Sequence, residues 1–373
     1  MSTIESYLAS FDGEPGYLDW AAFGPLSPSV RAEVRADADL LGTGRRSSID
    51  LVGENPGHAA ALVAEMLDVP VDQVVLQPST TDGLMQALFG LSGAVLVSDA
   101  EFPSLRVAAA RAAQARPDLQ VVRFEPDDAV VSPEAVREAL TDDVTAVAVS
   151  LVDFRTGYRA DLAGLREVIG DRLLIVDAVQ GFGVVDADYA AADVVCAHGY
   201  KWLRAGRGTG FAWFGDRALE RLTPVFSGLT GLGEADQPGE LPPAARAARG
   251  FSVSRPDPLA AARLTTALRD VRDAGLDAIE AALRQRVDEV IAIADSHRIA
   301  VVTPRDPVRR AGIVALAPEP ADAGPIAAAL ANHGLVFTAR EGVLRIAPHA
   351  GTDEATMRML VDALATAASG RAW

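Results

Sequence analysis

Between about residues 55 and 215, short aliphatic and β-branched runs alternate with helical stretches, and this alternation constrains the fold more than any other feature of the sequence. Val74-Val75-Leu76-Gln77 reads as a strand, followed by a helix from about Thr81. Residues 94–97 give the next strand, an Ala-rich helix covers 104–115, and 119–124 is strand again. Ser132-Pro133-Glu134 opens a further helix, with a capping hydroxyl and a proline at the first position. Runs at 144–149, 173–176 and 193–197 complete the series. Continuous Val/Leu/Ile runs separated by helices predict an α/β fold with a mostly parallel sheet covered on both faces.

Residues 228–243, rich in Gly, Pro and acidic side chains, are expected to form a loop over the site or a connection between domains. From Asp257 the pattern changes. Long Ala/Leu/Arg helices run to about Asp295, short strands follow at 299–302, 312–316, 335–338 and 343–346, and a helix closes the chain over about 353–368. The expected organisation is an N-terminal arm (1–19) joining the small domain, a large domain (20–250) and a smaller C-terminal α+β domain (251–373).

A net charge of −17 repels nucleic acid and anionic membranes, so neither is expected as a partner. No apolar run approaches the ~20 residues of a membrane helix. Met1-Ser2-Thr3-Ile4-Glu5 lacks the basic stretch and apolar core of a signal peptide, so a cytoplasmic location is expected. The one cysteine, Cys196, excludes an internal disulfide and any Cys-based zinc site, and no metal is expected.

The 34 Lys plus Arg comprise 33 arginines and one lysine, Lys201. A bias this strong replaces Lys wherever a plain cation suffices. An amine can lose its proton and form an imine, whereas a guanidinium cannot, which makes Lys201 the candidate for covalent chemistry. It lies just beyond the run 193–197, and Asp177 lies at the carboxyl end of the preceding one. Ligands of open α/β sheets bind outside the carboxyl ends of strands, so both side chains should reach one crevice. A carboxylate there can keep a heteroaromatic nitrogen protonated. Pro78-Ser79-Thr80-Thr81-Asp82-Gly83 sits where strand gives way to helix, an anion cradle with hydroxyls at Thr80 and Thr81. Phe102, in Glu101-Phe102-Pro103-Ser104, could stack on a flat ring. Each also has an ordinary reading: Asp177 as a helix cap, the Ser/Thr run as a helix N-terminus, Phe102 as a loop aromatic folded on the core. Together they suit pyridoxal 5′-phosphate (PLP), whose electron-withdrawing ring needs the protonated nitrogen.

Asp177-Ala178-Val179-Gln180, followed by Gly199-Tyr200-Lys201-Trp202-Leu203, resembles the class V aminotransferase group of fold-type I PLP enzymes. That group includes cysteine desulfurases, kynureninases, isopenicillin N epimerases and C–S lyases. The resemblance runs from Tyr17-Leu18-Asp19 to the closing helix, and Glu101-Phe102-Pro103-Ser104 and Asp153-Phe154-Arg155-Thr156-Gly157-Tyr158 look closest to the kynureninase branch. It implies that Lys201 carries the cofactor, Asp177 pairs with the pyridine nitrogen and Gln180 bonds the phenolic oxygen. It also implies that Thr80, Thr81, His198 and Tyr200 hold the phosphate, with Phe102 stacked on the ring. Val343-Leu344-Arg345-Ile346-Ala347-Pro348-His349 is similar to the segment whose arginine grips the substrate α-carboxylate, a task that suits a bidentate guanidinium.

Three departures from the family pattern matter. Desulfurases carry a mobile nucleophilic cysteine shortly before the carboxylate-binding arginine, and residues 334–344 contain none; Cys196 falls in a strand and is expected to be inert core. Ser254-Arg255-Pro256-Asp257 stands where the family often has Gly-Thr in a segment reaching the partner subunit's phosphate, so Arg255 is either a phosphate ligand or a surface residue. Arg204 and Arg207 flank Ala205-Gly206 where Gly-Pro is common, facing either substrate or solvent. The expectation is a homodimer with its site at the interface, acting on an amino acid or a cysteine conjugate by β-elimination of the C–S lyase type. Transamination comes second and epimerisation third. A nucleotide-binding oxidoreductase would need a Gly-x-Gly-x-x-Gly after the first strand, which is absent. A non-catalytic PLP-fold binding protein would not need the intact Lys201 and Asp177.

Overall fold

The computed structural model describes residues 3–235 and 240–369. Seven strands form the large sheet: β1 (Val74–Gln77), β2 (Gly93–Ser98), β3 (Leu119–Phe124), β4 (Val144–Ser150), β5 (Leu173–Asp177), β6 (Val194–His198) and β7 (Gly210–Phe214). Their order is β1-β7-β6-β5-β4-β2-β3. β2 through β6 pair in parallel, and β7 runs antiparallel to both its neighbours. Sequence reading located β1 to β6 but not β7. The connection from β6 crosses no face of the sheet as a helix, so β7 returns beside it in the opposite sense.

Both faces of the sheet are covered, as continuous apolar strands require. Leu174, Val176, Val195 and Ala197 enter one core, while Leu173, Ile175, Val194 and Cys196 enter the other, the two-residue period of a strand. Helices Thr80–Phe89 and Pro103–Ala115 supply Leu84, Leu88, Leu105 and Ala109 to the second core. Each large aliphatic side chain sealed this way contributes about 1.5–3 kcal/mol. Ser132 caps helix Pro133–Ala139 by accepting from the Ala135 N–H at 3.2 Å, as its motif predicts.

A second, antiparallel sheet has the order β10-β11-β9-β8, from β8 (Ala300–Val301), β9 (Val314–Ala317), β10 (Thr338–Arg340) and β11 (Val343–Ile346). The strand expected at 335–338 begins only at Thr338. Val336 pairs instead with the N-terminal arm: Leu18 N donates to Val336 O at 2.9 Å, and Val336 N donates to Gly16 O at 2.8 Å. The arm then bonds the chain leaving β11, with Ala347 N donating to Leu18 O at 2.7 Å. Helix Pro320–Asn332 escaped the sequence reading because Pro and Gly break its pattern; Pro325 lies inside its first turns. Among the described residues no helix is long and apolar enough to cross a membrane, and no cluster of His, Cys, Asp or Glu could hold a metal ion.

Candidate active site

Asp177 ends β5 and Lys201 follows β6, and the two strands are parallel neighbours with Asp177 opposite Cys196. The adjacent strand ends anticipated from chain order are therefore present. Lys201 is 6% exposed. Burial pulls its amine down to about 8, although Asp177 pulls the other way. Burial also lifts the Asp177 carboxyl to about 6, against a hydrogen bond from Val179 N at 3.0 Å and the attraction of Lys201. The backbone turn at Lys201 is closed from the arm side: Gly24 N donates to Tyr200 O at 2.8 Å, and a Cβ on Gly24 would lie 1.9 Å from Lys201 O. Only glycine allows that approach.

The segment expected as an anion cradle forms the start of helix Thr80–Phe89, capped by Ser79, which accepts from Asp82 N at 3.3 Å. Thr80 Oγ1 and His198 Nδ1 are 2.5 Å apart. His198 Nε2 is buried with no hydrogen-bond partner among the described residues, and burial drives this imidazole down to about 2, so it is neutral. A neutral imidazole bonded through Nδ1 to a hydroxyl can offer Nε2–H to an anion. Tyr200 stacks on it, with ring centroids 3.8 Å apart and planes 4° from parallel. Thr81 is tied to Ser104 at 3.0 Å.

Phe102, Phe154, Arg155, Gln180, Lys201 and Arg345 line one cleft of about 560 Å³. Lys201 Nζ lies 5.7 Å from the centroids of both Phe102 and Tyr200, and Phe102 meets Phe154 edge-on at 5.0 Å. Gln180 is fixed from both ends, donating to Ala21 O at 3.0 Å and accepting from Trp202 Nε1 at 2.8 Å. Arg345 lies within β11. Its Nη1 donates to Phe154 O at 3.0 Å, its Nη2 to Asp19 and Thr338 at 3.1 and 3.2 Å, and its buried Nε has no partner among the described residues. Arg155 is held by Asp153 at 3.0 Å.

Arg255 is exposed and lines a different cleft, with Pro78, Asp82 and Thr209; within one chain it does not join Lys201. Gly228, at the start of the loop expected over the site, borders that second cleft too. The loop folds back through a bridge between Leu232 and Ala244, and its residues 236–239 lie outside the described ones. Arg207 is exposed and stands 4.5 Å above the Tyr200 ring. Arg204 is 3% exposed and does not line the Lys201 cleft. Cys196 is fully buried, and burial raises its thiol well above the ordinary range. Sequence reasoning missed two groups. Asp19, the partner of Arg345, stood in view within Tyr17-Leu18-Asp19 but gave no sign of its target. Glu101 is 5% exposed beside Ser150, and burial pushes it up to about 7 despite hydrogen bonds from the Ser150 hydroxyl and N–H.

These residues fit pyridoxal phosphate. Among the described residues His198 Nε2 has no partner and its ring bonds Thr80 at a helix N-terminus, the buried Asp177 carboxylate attracts Lys201, and the chain's one lysine opens into the cleft. A family profile described as Aminotransferase class-V matches residues 17–358. A kynureninase of Deinococcus radiodurans is 30% identical over 263 residues, 67% of this chain and 62% of that protein, so the match spans less than two thirds of the relative. An uncharacterised aminotransferase of Bacillus subtilis, YcbU, is 24% identical over 81% of each chain. The solved cystine C-S lyase C-DES, in complex with cysteine persulfide, superposes with a TM-score of 0.85 at 19% identity, covering 95% of this chain and 98% of that one. That likeness establishes a shared fold.

Proposed function

The chain belongs to the class-V aminotransferase family, and from that premise we propose that it is a PLP-dependent enzyme eliminating a β-sulfur leaving group from a cysteine conjugate. The observation that carries this reading is Lys201, the chain's single lysine, buried with a depressed pKa in one cleft with Arg345.

When bound, PLP supplies an electron sink for the pair left at Cα. Arg345 receives the substrate α-carboxylate, its guanidinium already oriented by Phe154, Asp19 and Thr338. Lys201 takes the Cα proton. With its pKa near 8, about a quarter of the amine is neutral at about pH 7.5, against about one part in a thousand for an ordinary lysine. Asp177 would hold a proton at the pyridine nitrogen, Gln180 would meet the phenolic oxygen, and Phe102 would pack on the ring. Thr80, Thr81, His198 and Tyr200 would hold the phosphate. We also propose the three-part division into arm, large domain and small domain, and a homodimer in which Arg255 of one protomer serves the phosphate pocket of its partner.

Elimination needs a base and no second nucleophile. The absence of any cysteine from residues 334–344, and the burial of Cys196, support it over desulfuration through a protein persulfide. Transamination is the second reading, favoured by the likeness to YcbU over 81% of both chains. Incubation with a panel of amino acids and cysteine S-conjugates tests the two. Pyruvate and ammonia from a conjugate support elimination, and stoichiometric conversion of an amino acid to its own keto acid establishes the aminotransferase.

A further inference from the structure

Arg204 is a buried cation that the proposed chemistry does not use, and no ion pair holds it among the described residues. Its backbone has a φ of 60°, the left-handed region that side chains rarely adopt. A charge taken out of water needs replacement hydrogen bonds, and all of these come from the N-terminal segment. Nη1 donates to Ser10 Oγ at 2.8 Å, Nη2 to Ser10 O at 2.7 Å and Nε to Pro25 O at 3.4 Å. The Phe11 ring lies 3.9 Å from the guanidinium carbon, a cation–π contact, with Trp20 at 5.8 Å.

Phe11 packs in turn on His349, with centroids 4.7 Å apart. His349 stands four residues beyond Arg345 in the chain. Its Nδ1 accepts from Ala350 N at 2.8 Å, so its Nε2 donates to Trp202 O at 2.9 Å. Three segments therefore meet around Arg204: the turn bearing Lys201, the arm, and the chain leaving β11. From Phe11 the arm runs on to Asp19, which pairs with Arg345 at 3.1 Å, and to Ala21, whose carbonyl accepts from Gln180.

We propose that Arg204 is a positioning residue that, through the arm, sets Asp19 and hence the Arg345 guanidinium at a fixed place relative to the Lys201 amine. The proposal rests on the reading of Arg345 as the carboxylate-binding group. Strain and a buried charge are both kept where glycine would relieve them, and what they secure is the arm.

Two probes read this directly. Aminooxyacetate and O-methylhydroxylamine share the nitrogen that displaces the Lys201 amine from the cofactor, but only the first carries a carboxylate. The ratio of their second-order rate constants with the PLP-loaded protein measures carboxylate recognition alone. Arg204→Gly, which also relieves the backbone, should lower that ratio about tenfold, the effect of about 1.4 kcal/mol of misplacement, and leave the O-methylhydroxylamine constant within about twofold. In the PLP-free protein it should speed chymotryptic cleavage in the first 25 residues about tenfold, as the arm loosens. Arg204→Lys, which keeps charge without the planar fork, should fall between. Phe11→Leu should act in the same direction and serves where Arg204→Gly does not fold.

An unchanged ratio in both Arg204→Gly and Phe11→Leu, or an equal fall in both rate constants, overturns the positioning role. Arg345→Ala separates the two claims. If Arg345→Ala leaves the ratio unchanged, the carboxylate reading itself fails; if it collapses the ratio while Arg204→Gly does not, only the positioning role fails.

Discussion

In the PLP-free protein, Lys201→Met is expected to stabilise the fold at neutral pH. Burial takes the amine from an ordinary 10.5 to about 8, which corresponds to about 3 kcal/mol of preference against the ammonium form. Below about pH 8 the amine is charged in both folded and unfolded chains, and the folded chain carries this whole cost. Between 8 and 10.5 the unfolded chain still binds a proton that the folded chain has released, so wild-type stability rises with pH. Methionine has similar length and no charge. The unfolding free energy of the variant should exceed that of wild type by about 3 kcal/mol at about pH 7, shrinking to about 1.4 kcal/mol at about pH 9.5. Urea denaturation at one protein concentration, extrapolated linearly at both pH values, measures the difference. A variant less stable than wild type at neutral pH, or a gap equal at both pH values, would refute the argument that Lys201 is held as a desolvated amine.

Lys201→Arg keeps the charge but should leave no PLP attached after borohydride reduction, read by intact mass; an adduct on this variant would remove Lys201 as the anchor. Asp177→Asn should fold and bind PLP, yet lose about two orders of magnitude in kcat or more, and near wild-type turnover would reduce Asp177 to a structural cap. Cys196→Ala should leave turnover unchanged, with no persulfide detectable by mass on the wild-type protein after turnover; a persulfide on Cys196 would overturn both elimination and transamination. Sedimentation should give a dimer, and a fully active monomer would exclude the role of Arg255 in a partner's phosphate pocket.

Much of this architecture was legible because its signals are local. β5 and β6 are continuous apolar runs, so chain order alone put Asp177 and Lys201 at adjacent strand ends. Thr80 and Thr81 sit at a strand-to-helix junction whose cap residues are written in the sequence. What escaped depends on pairings between distant segments. β7 is as apolar as its neighbours, but its direction is set by the connection before it. Val336 left its expected strand because the arm, more than three hundred residues earlier, competes for its backbone. Arg204 stood out with Arg207 beside Ala205-Gly206, but its direction could not be read until the position of Phe11 was known.

The burial of Lys201 has a consequence for the outside of the molecule. Every other basic side chain apart from histidine is a guanidinium, so the surface offers no side-chain amine to acylating reagents, reducing sugars or amine-directed cross-linkers. Such reagents can reach a lysine only through the cleft that also admits cofactor and substrate. A covalent label on Lys201 would report the state of that cleft with no other lysine competing for it, and its uptake would fall as the cleft fills. The same arrangement confines aldehyde chemistry on lysine to one place in the chain, where an imine has neighbours able to use it.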